Sequence, residues 1–237
     1  MLIDPRDLVE DLPRLEEIEK ASLRLVTQAL CDFRDNAIEI FRVESDLVAD
    51  IGEDITREAL DRMGVSRIDQ RLYGKMDYKR ARYVFHPEYA IKQALFVDSK
   101  AEKTSGQATA TLQTSQFSMK VCQIRAGQEV CVGGKLPPVI EMRGDAYLTT
   151  TIFVKYNYAE TMQRKDLRSI ILAALPNGFL QAKYNPDVSD TIWLAGRDAP
   201  SLDEEFRVRL SFDRLQNKAM WRVQTIPLPP QRFQWRE

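Results

Sequence analysis

Ala94-Leu95-Phe96-Val97-Asp98-Ser99-Lys100 is the stretch that decides the fold. Four apolar residues run into a carboxylate and an ammonium, the pattern of a buried strand that ends in charge. Successive strand side chains point to opposite faces, so Asp98 and Lys100 share one face and Ser99 takes the other. Upstream, Met76-Asp77-Tyr78-Lys79-Arg80-Ala81-Arg82-Tyr83-Val84-Phe85 also reads as a strand. His86-Pro87-Glu88-Tyr89 breaks it before the next strand begins at about Ala94. An antiparallel pair follows, in which Asp77 starts one strand and Asp98 ends the next, both carboxylates at the same end of the sheet. Two carboxylates beside an ammonium can hold Mg²⁺ and stabilise charge on a scissile phosphate, the chemistry of phosphodiester hydrolysis. Asp-x-Lys alone is a short pattern that occurs by chance on solvent-facing strand ends; the second carboxylate gives it weight.

Around this pair the chain sorts into helices and then strands. Asp11, Pro13, Glu16 and Glu17 open a helix. Leu15, Ile18, Leu23, Val26, Leu30, Phe33, Ala37 and Ile40 then recur near helical spacing and predict one long amphipathic helix. A second helix, Asp50 to Met63, carries Ile51, Ile55, Leu60 and Met63 on one face and stops at Gly64. Leu148 to Tyr158, Ser169 to Leu175 and Phe206 to Asp213 read as strands. Helices followed by a mixed sheet predict an α/β or α+β fold, a central mixed β-sheet flanked by helices. The length suits a single domain over 1–237, with 1–63 a mostly helical layer and 64–237 the sheet.

Composition narrows the chemistry. One histidine, His86, before Pro87 in a turn, rules out histidine-rich metal sites and is expected to have a structural or surface role. Oxygen ligands remain, and they favour magnesium over zinc. Cys31, Cys122 and Cys131 are odd in number and have no zinc-binding spacing, so a disulfide framework is not expected. The turn between Cys122 and Cys131 lets the two face across a hairpin, reduced, as suits a cytoplasmic protein. No apolar run approaches the roughly 20 residues of a membrane helix. Net charge is −1, but residues 1–63 hold 8 Lys+Arg against 17 Asp+Glu, and residues 64–237 hold 26 against 18. An acidic helical layer and a basic face able to follow a phosphate backbone fit that asymmetry, although a solvated acidic helix surface explains the first half equally well.

From Phe206 to Asp213 the alternation is strict, with Phe206, Val208, Leu210 and Phe212 on one face and Arg207, Arg209, Ser211 and Asp213 on the other. Arginine matches guanine O6 and N7 bidentately and aspartate accepts from cytosine N4, so the polar face could read G·C pairs in a major groove. The bland alternative is ordinary solvation of an exposed strand.

Several longer segments, in order, resemble the SfiI family of type II restriction endonucleases, within the PD-(D/E)xK nuclease superfamily. They include Val26-Thr27-Gln28-Ala29-Leu30, Glu53-Asp54-Ile55-Thr56, Asp77-Tyr78-Lys79-Arg80, Val97-Asp98-Ser99-Lys100-Ala101, Thr151-Ile152-Phe153-Val154, Tyr184-Asn185-Pro186-Asp187 and Phe212-Asp213-Arg214-Leu215. The resemblance implies a restriction-endonuclease-like core that cuts both strands of double-stranded DNA at an interrupted palindromic site, with Mg²⁺ as cofactor. It implies Asp77, Asp98 and Lys100 as catalytic residues, with Asp77, Asp98 and the Ser99 carbonyl on the metal. A further helical glutamate is assigned to Glu53, with Asp54 as its neighbour and competitor. Met76 stands where the family pattern has proline, which supplies no ligand. Arg207, Arg209, Asp213 and Arg214 are candidates for base contact, and Lys79, Arg80, Arg82 and Lys103 for phosphate contact. Two-fold symmetry in the site calls for a homodimer at minimum, with a homotetramer as the larger alternative. A repair or resolvase-type nuclease of the same superfamily, or a non-catalytic DNA-binding protein on this scaffold, are the competing readings.

Overall fold

The computed structural model describes residues 2–43, 48–65, 81–103, 108–125, 127–161, 164–194 and 208–237. The chain opens with helix α1 (Leu12–Asp32), whose Asp11 cap accepts from the Arg14 amide and whose first turn carries a proline. Helix α2 (Arg34–Val43) follows and then α3 (Val48–Arg62). The single long helix expected from the apolar spacing is therefore two, interrupted at Phe33, the C-cap of α1. This break turns α2 onto the sheet, where Ala37 and Phe41 are buried. Gly64, at φ 72°, ends α3 in the left-handed conformation that glycine adopts without penalty.

Strand β1 (Ala81–His86) pairs antiparallel with β2 (Ile91–Lys103), as expected. β2 is longer than predicted at both ends, so Asp98 lies within the strand rather than at its end. Next come β3 (Thr109–Leu112), the hairpin of β4 (Lys120–Arg125) and β5 (Gln128–Gly133), then β6 (Val139–Met142) and β7 (Asp145–Glu160). Strand β8 (Lys165–Leu175), helix α4 (Gln181–Tyr184), β9 (Trp193–Leu194), β10 (Val208–Ser211), helix α5 (Phe212–Lys218) and β11 (Val223–Pro227) complete the chain.

The main sheet runs β1-β2-β7-β8-β11, with β6 hairpinned onto β7. β2 and β7 are parallel and the other pairs antiparallel, which makes the sheet mixed. Its helix face buries Leu95, Val97, Ile152 and Val154 against Leu23, Leu30, Phe41 and Ile55. On the other face Phe153 and Ala173 pack with Leu112, Trp193, Val208 and Leu210 of a second sheet, ordered β3-β10-β9. Among the described residues no helix is long and apolar enough to cross a membrane.

A buried ion cluster ties α1 to the C-terminal segment. Arg222 Nη2 donates to Glu19 Oε2 at 2.6 Å with both side chains fully buried, and the guanidinium lies 4.4 Å over the Tyr184 ring. Burial pushes the Glu19 carboxyl up, opposed by Arg222. Burial also raises Glu16, but hydrogen bonds from Lys183 and Tyr184, with the Arg222 charge, outweigh it and hold that carboxyl below its ordinary value.

The cysteine expectation is corrected. Cys122 and Cys131 do face each other directly across the β4–β5 hairpin, but as a disulfide rather than as reduced core residues. As direct register partners on adjacent antiparallel strands, the two residues bring their sulfurs within bonding reach.

Candidate active site

Pleating places the charged row on the side of β2 away from the helices. Ser99 points to α3, so Asp98 and Lys100 look toward the second sheet. Asp98 is 4% exposed and Lys100 half-buried. The Lys100 ammonium lies 5.9 Å from the Phe153 ring centre and donates to the Thr111 carbonyl of β3 at 2.5 Å. The row continues to Glu102, whose carboxylate meets Lys155 Nζ at 2.6 Å. Lys155 is the register partner of Lys100 on β7, is 1% exposed, and donates to the Thr109 carbonyl at 3.0 Å.

Behind this row, the helix side of β2 is held by hydroxyls. Thr56 Oγ1 lies 2.7 Å from Ser99 Oγ, 2.7 Å from the Tyr156 hydroxyl, and 3.0 Å from the Gly52 carbonyl to which it donates. Gly52 permits the approach, since a Cβ there would stand 3.1 Å from the Tyr156 ring and 3.6 Å from the Ala101 amide. Glu53 is the next residue along α3 and half-buried, whereas Asp54 is exposed and paired with Arg57 at 2.5 Å.

Asp77, Lys79, Arg80 and Arg207 lie outside the described residues. Arg82, expected on phosphate, is corrected: it is 2% exposed, bonded to Asp61, and donates to the Val65 carbonyl at 3.0 Å. It fastens β1 to the end of α3. Lys103 is 62% exposed and paired with Glu160 at 2.5 Å. Arg209 is half-buried on β10, opposite Thr111 on one side and Leu194 on the other. The strand predicted through Asp213 ends at Ser211, whose hydroxyl caps α5 by accepting from the Arg214 amide at 3.3 Å. Asp213 is therefore an exposed residue in the first helical turn, and Arg214 holds the Thr191 and Trp193 carbonyls at 3.2 and 3.0 Å. Of the structural and surface roles expected for His86, the structure favours the first: its Nε2 lies 3.4 Å from Ser22 Oγ, and burial holds the imidazole below its ordinary value.

Sequence reasoning overlooked Lys155, Glu102 and Thr56. A signal existed for two of them: Lys155 is a charge inside an otherwise β-forming run, and Glu102 extends the Asp98, Lys100 alternation by one step. Thr56 carried none, since a threonine in an amphipathic helix is unremarkable until its neighbours are known.

A family model for the type II restriction enzyme SfiI matches residues 31–226. The chain belongs to the SfiI family. It is 34% identical over 238 residues to the type II restriction enzyme SfiI of Streptomyces fimbriatus, covering 94% of this chain and 87% of that one. The crystal structure of tetrameric restriction endonuclease SfiI bound to cognate DNA superposes with a TM-score of 0.83 at 32% identity, covering 100% of this chain and 94% of that one. The restriction endonuclease BglI, bound to its DNA recognition sequence, superposes with a TM-score of 0.76 at 17% identity over 94% of each chain, which shows a shared fold. The SfiI-family fold is thus the α/β architecture with a central mixed sheet that the sequence predicted.

Proposed function

We propose that this SfiI-family chain is a Mg²⁺-dependent endonuclease that cuts both strands of DNA at an interrupted, G/C-rich palindrome. The observation that carries the reading is the alternation of Asp98 and Lys100 on the sheet face that looks toward β3 and β10. The donor set suits magnesium: Asp98 supplies a carboxylate, the Ser99 backbone a carbonyl, and Asp77 a second carboxylate, all hard oxygens. Bound there, Mg²⁺ supplies Lewis-acid polarisation of a phosphate oxygen and lowers the pKa of water. Lys100 orients the attacking water and places its positive charge where the phosphate gathers negative charge in the transition state. Glu53, with Asp54 as its competitor, is the helical carboxylate of this reading.

Arg207, Arg209, Asp213 and Arg214 take base edges, and Lys79, Arg80 and Lys103 take phosphates. A palindromic site calls for a homodimer at minimum, and the tetrameric relative supports a homotetramer. Incubating the protein with phage DNA in Mg²⁺ or in EDTA tests the reading: discrete bands in Mg²⁺ alone are expected, and intact DNA in both lanes across several genomes refutes it. Asp98→Ala should abolish cleavage and keep binding; Mg²⁺-dependent cleavage retained by that variant overturns the assignment.

A further inference from the structure

We propose that Lys155, with Glu102, is a positioning residue that clamps the second sheet to the catalytic strand while Lys100 is engaged in the reaction. The inference rests on the endonuclease reading above. Two ammoniums from neighbouring strands of the main sheet reach the same short strand: Lys100 donates to the Thr111 carbonyl and Lys155 to the Thr109 carbonyl. Those carbonyls are two residues apart and so leave β3 on the same edge, while β3 pairs through its other edge with β10. β10 carries Arg209, directly opposite Thr111. The seam between the catalytic strand and the sheet proposed to read bases is therefore crossed by these two lysines, beside the apolar cluster that holds Phe153 and Leu112.

The two are not equivalent. Lys100 is half-buried and has to act on a phosphate, which takes its ammonium from Thr111. Lys155 is fully buried and held by Glu102 at 2.6 Å as well as by Thr109. A buried ammonium is costly unless paired, and an apolar side chain would pack this position at lower cost, so filling space does not account for a lysine here. Its geometry instead keeps β3 at a fixed distance when Lys100 lets go. Misplacement of about 1 Å can cost two orders of magnitude in rate, so a loosened β3 should act on the chemical step rather than on DNA affinity.

The test compares wild type, Lys155→Met, Lys155→Arg and Glu102→Gln on DNA carrying the wild-type cleavage site. Single-turnover cleavage is measured in Mg²⁺, and dissociation constants in Ca²⁺. Glu102→Gln, altered at a side chain 36% exposed, is expected to fold. It and Lys155→Met should cleave at least tenfold more slowly with Kd within about twofold of wild type. Lys155→Arg, which can still donate to both partners, should recover most of the rate. If Glu102→Gln or folded Lys155→Met cleaves at the wild-type rate, or if rate and affinity fall together, the clamp is overturned. If Lys155→Met fails to fold, Glu102→Gln alone decides. Absence of cleavage by wild type at any site, in contrast, removes the endonuclease reading itself.

Discussion

Thr56→Val is the sharpest test of how α3 supports β2, the strand of Asp98 and Lys100. A threonine hydroxyl offers one donor and two acceptor positions. In this structure all are used: Thr56 donates to the Gly52 carbonyl and receives the Ser99 and Tyr156 hydroxyls. Burial pushes the Tyr156 hydroxyl well above its ordinary value, so it remains a neutral donor. Valine keeps the shape and deprives two buried hydroxyls of a partner. At about 1–3 kcal/mol for each group left unsatisfied, with partial relief by rotation, the loss should be about 2–4 kcal/mol. For a chain of this size that corresponds to a fall of about 5–15 °C in Tm. Thr56→Ser should stay near wild type, and Ser99→Ala in the Thr56→Val background should cost less than in wild type, since removing both partners spares the penalty. Denaturant unfolding and thermal melting of the four variants measure this. A Thr56→Val protein within about 0.5 kcal/mol of wild type would refute the hydroxyl cluster as a support of β2.

Arg222→Met strands the fully buried Glu19 carboxylate and should cost about 3–5 kcal/mol, most of it recovered by adding Glu19→Leu; additive losses in the double variant would contradict a coupled buried pair. Burial, the largest influence, partly opposed by Glu88, holds His86 below its unfolded value of 6.5. Between the folded and unfolded values the unfolded chain binds more protons, so this contribution is complete above 6.5 and declines as pH falls below it. The unfolding free energy of wild type relative to His86→Gln should therefore fall as pH drops from 7.5 to about 5.5, and a constant difference would speak against it. Thiol titration of unreduced protein in denaturant should count one free thiol of three. The native protein should react slowly at pH 8, because burial, partly opposed by Arg34, pushes Cys31 up to about 11. Three thiols would remove the hairpin disulfide.

Much of the frame was legible because it rests on periodicity. The apolar run into Asp98 named β2, and the stops at His86-Pro87 and Gly64 marked real ends. What failed had a common cause, in that local pattern does not report what lies across a face. Alternation through Phe206–Asp213 could not foresee that Ser211 would cap a helix and turn Asp213 out of the strand. Arg82 looked like a surface charge in an alternating strand until α3 brought Asp61 against it. Cys122 and Cys131 were placed opposite each other by the turn, but their bonding depended on a Cα separation that spacing does not give. The Lys100–Thr111 and Lys155–Thr109 contacts join segments whose pairing no short-range rule specifies.

The parallel pairing of β2 with β7 has a consequence for how such a protein can diversify. Antiparallel neighbours can be joined by a two-residue turn, but parallel ones oblige the chain to travel back along the sheet before pairing again. Here that return passes through β3, the disulfide hairpin and β6. An excursion the topology demands in any case is a place where new sequence can accumulate with little disturbance to β2. Changes of target preference are then expected to concentrate in the chain between Lys103 and Asp145, and in the β9–β10 segment paired to it, while the Asp98–Lys100 strand stays as it is.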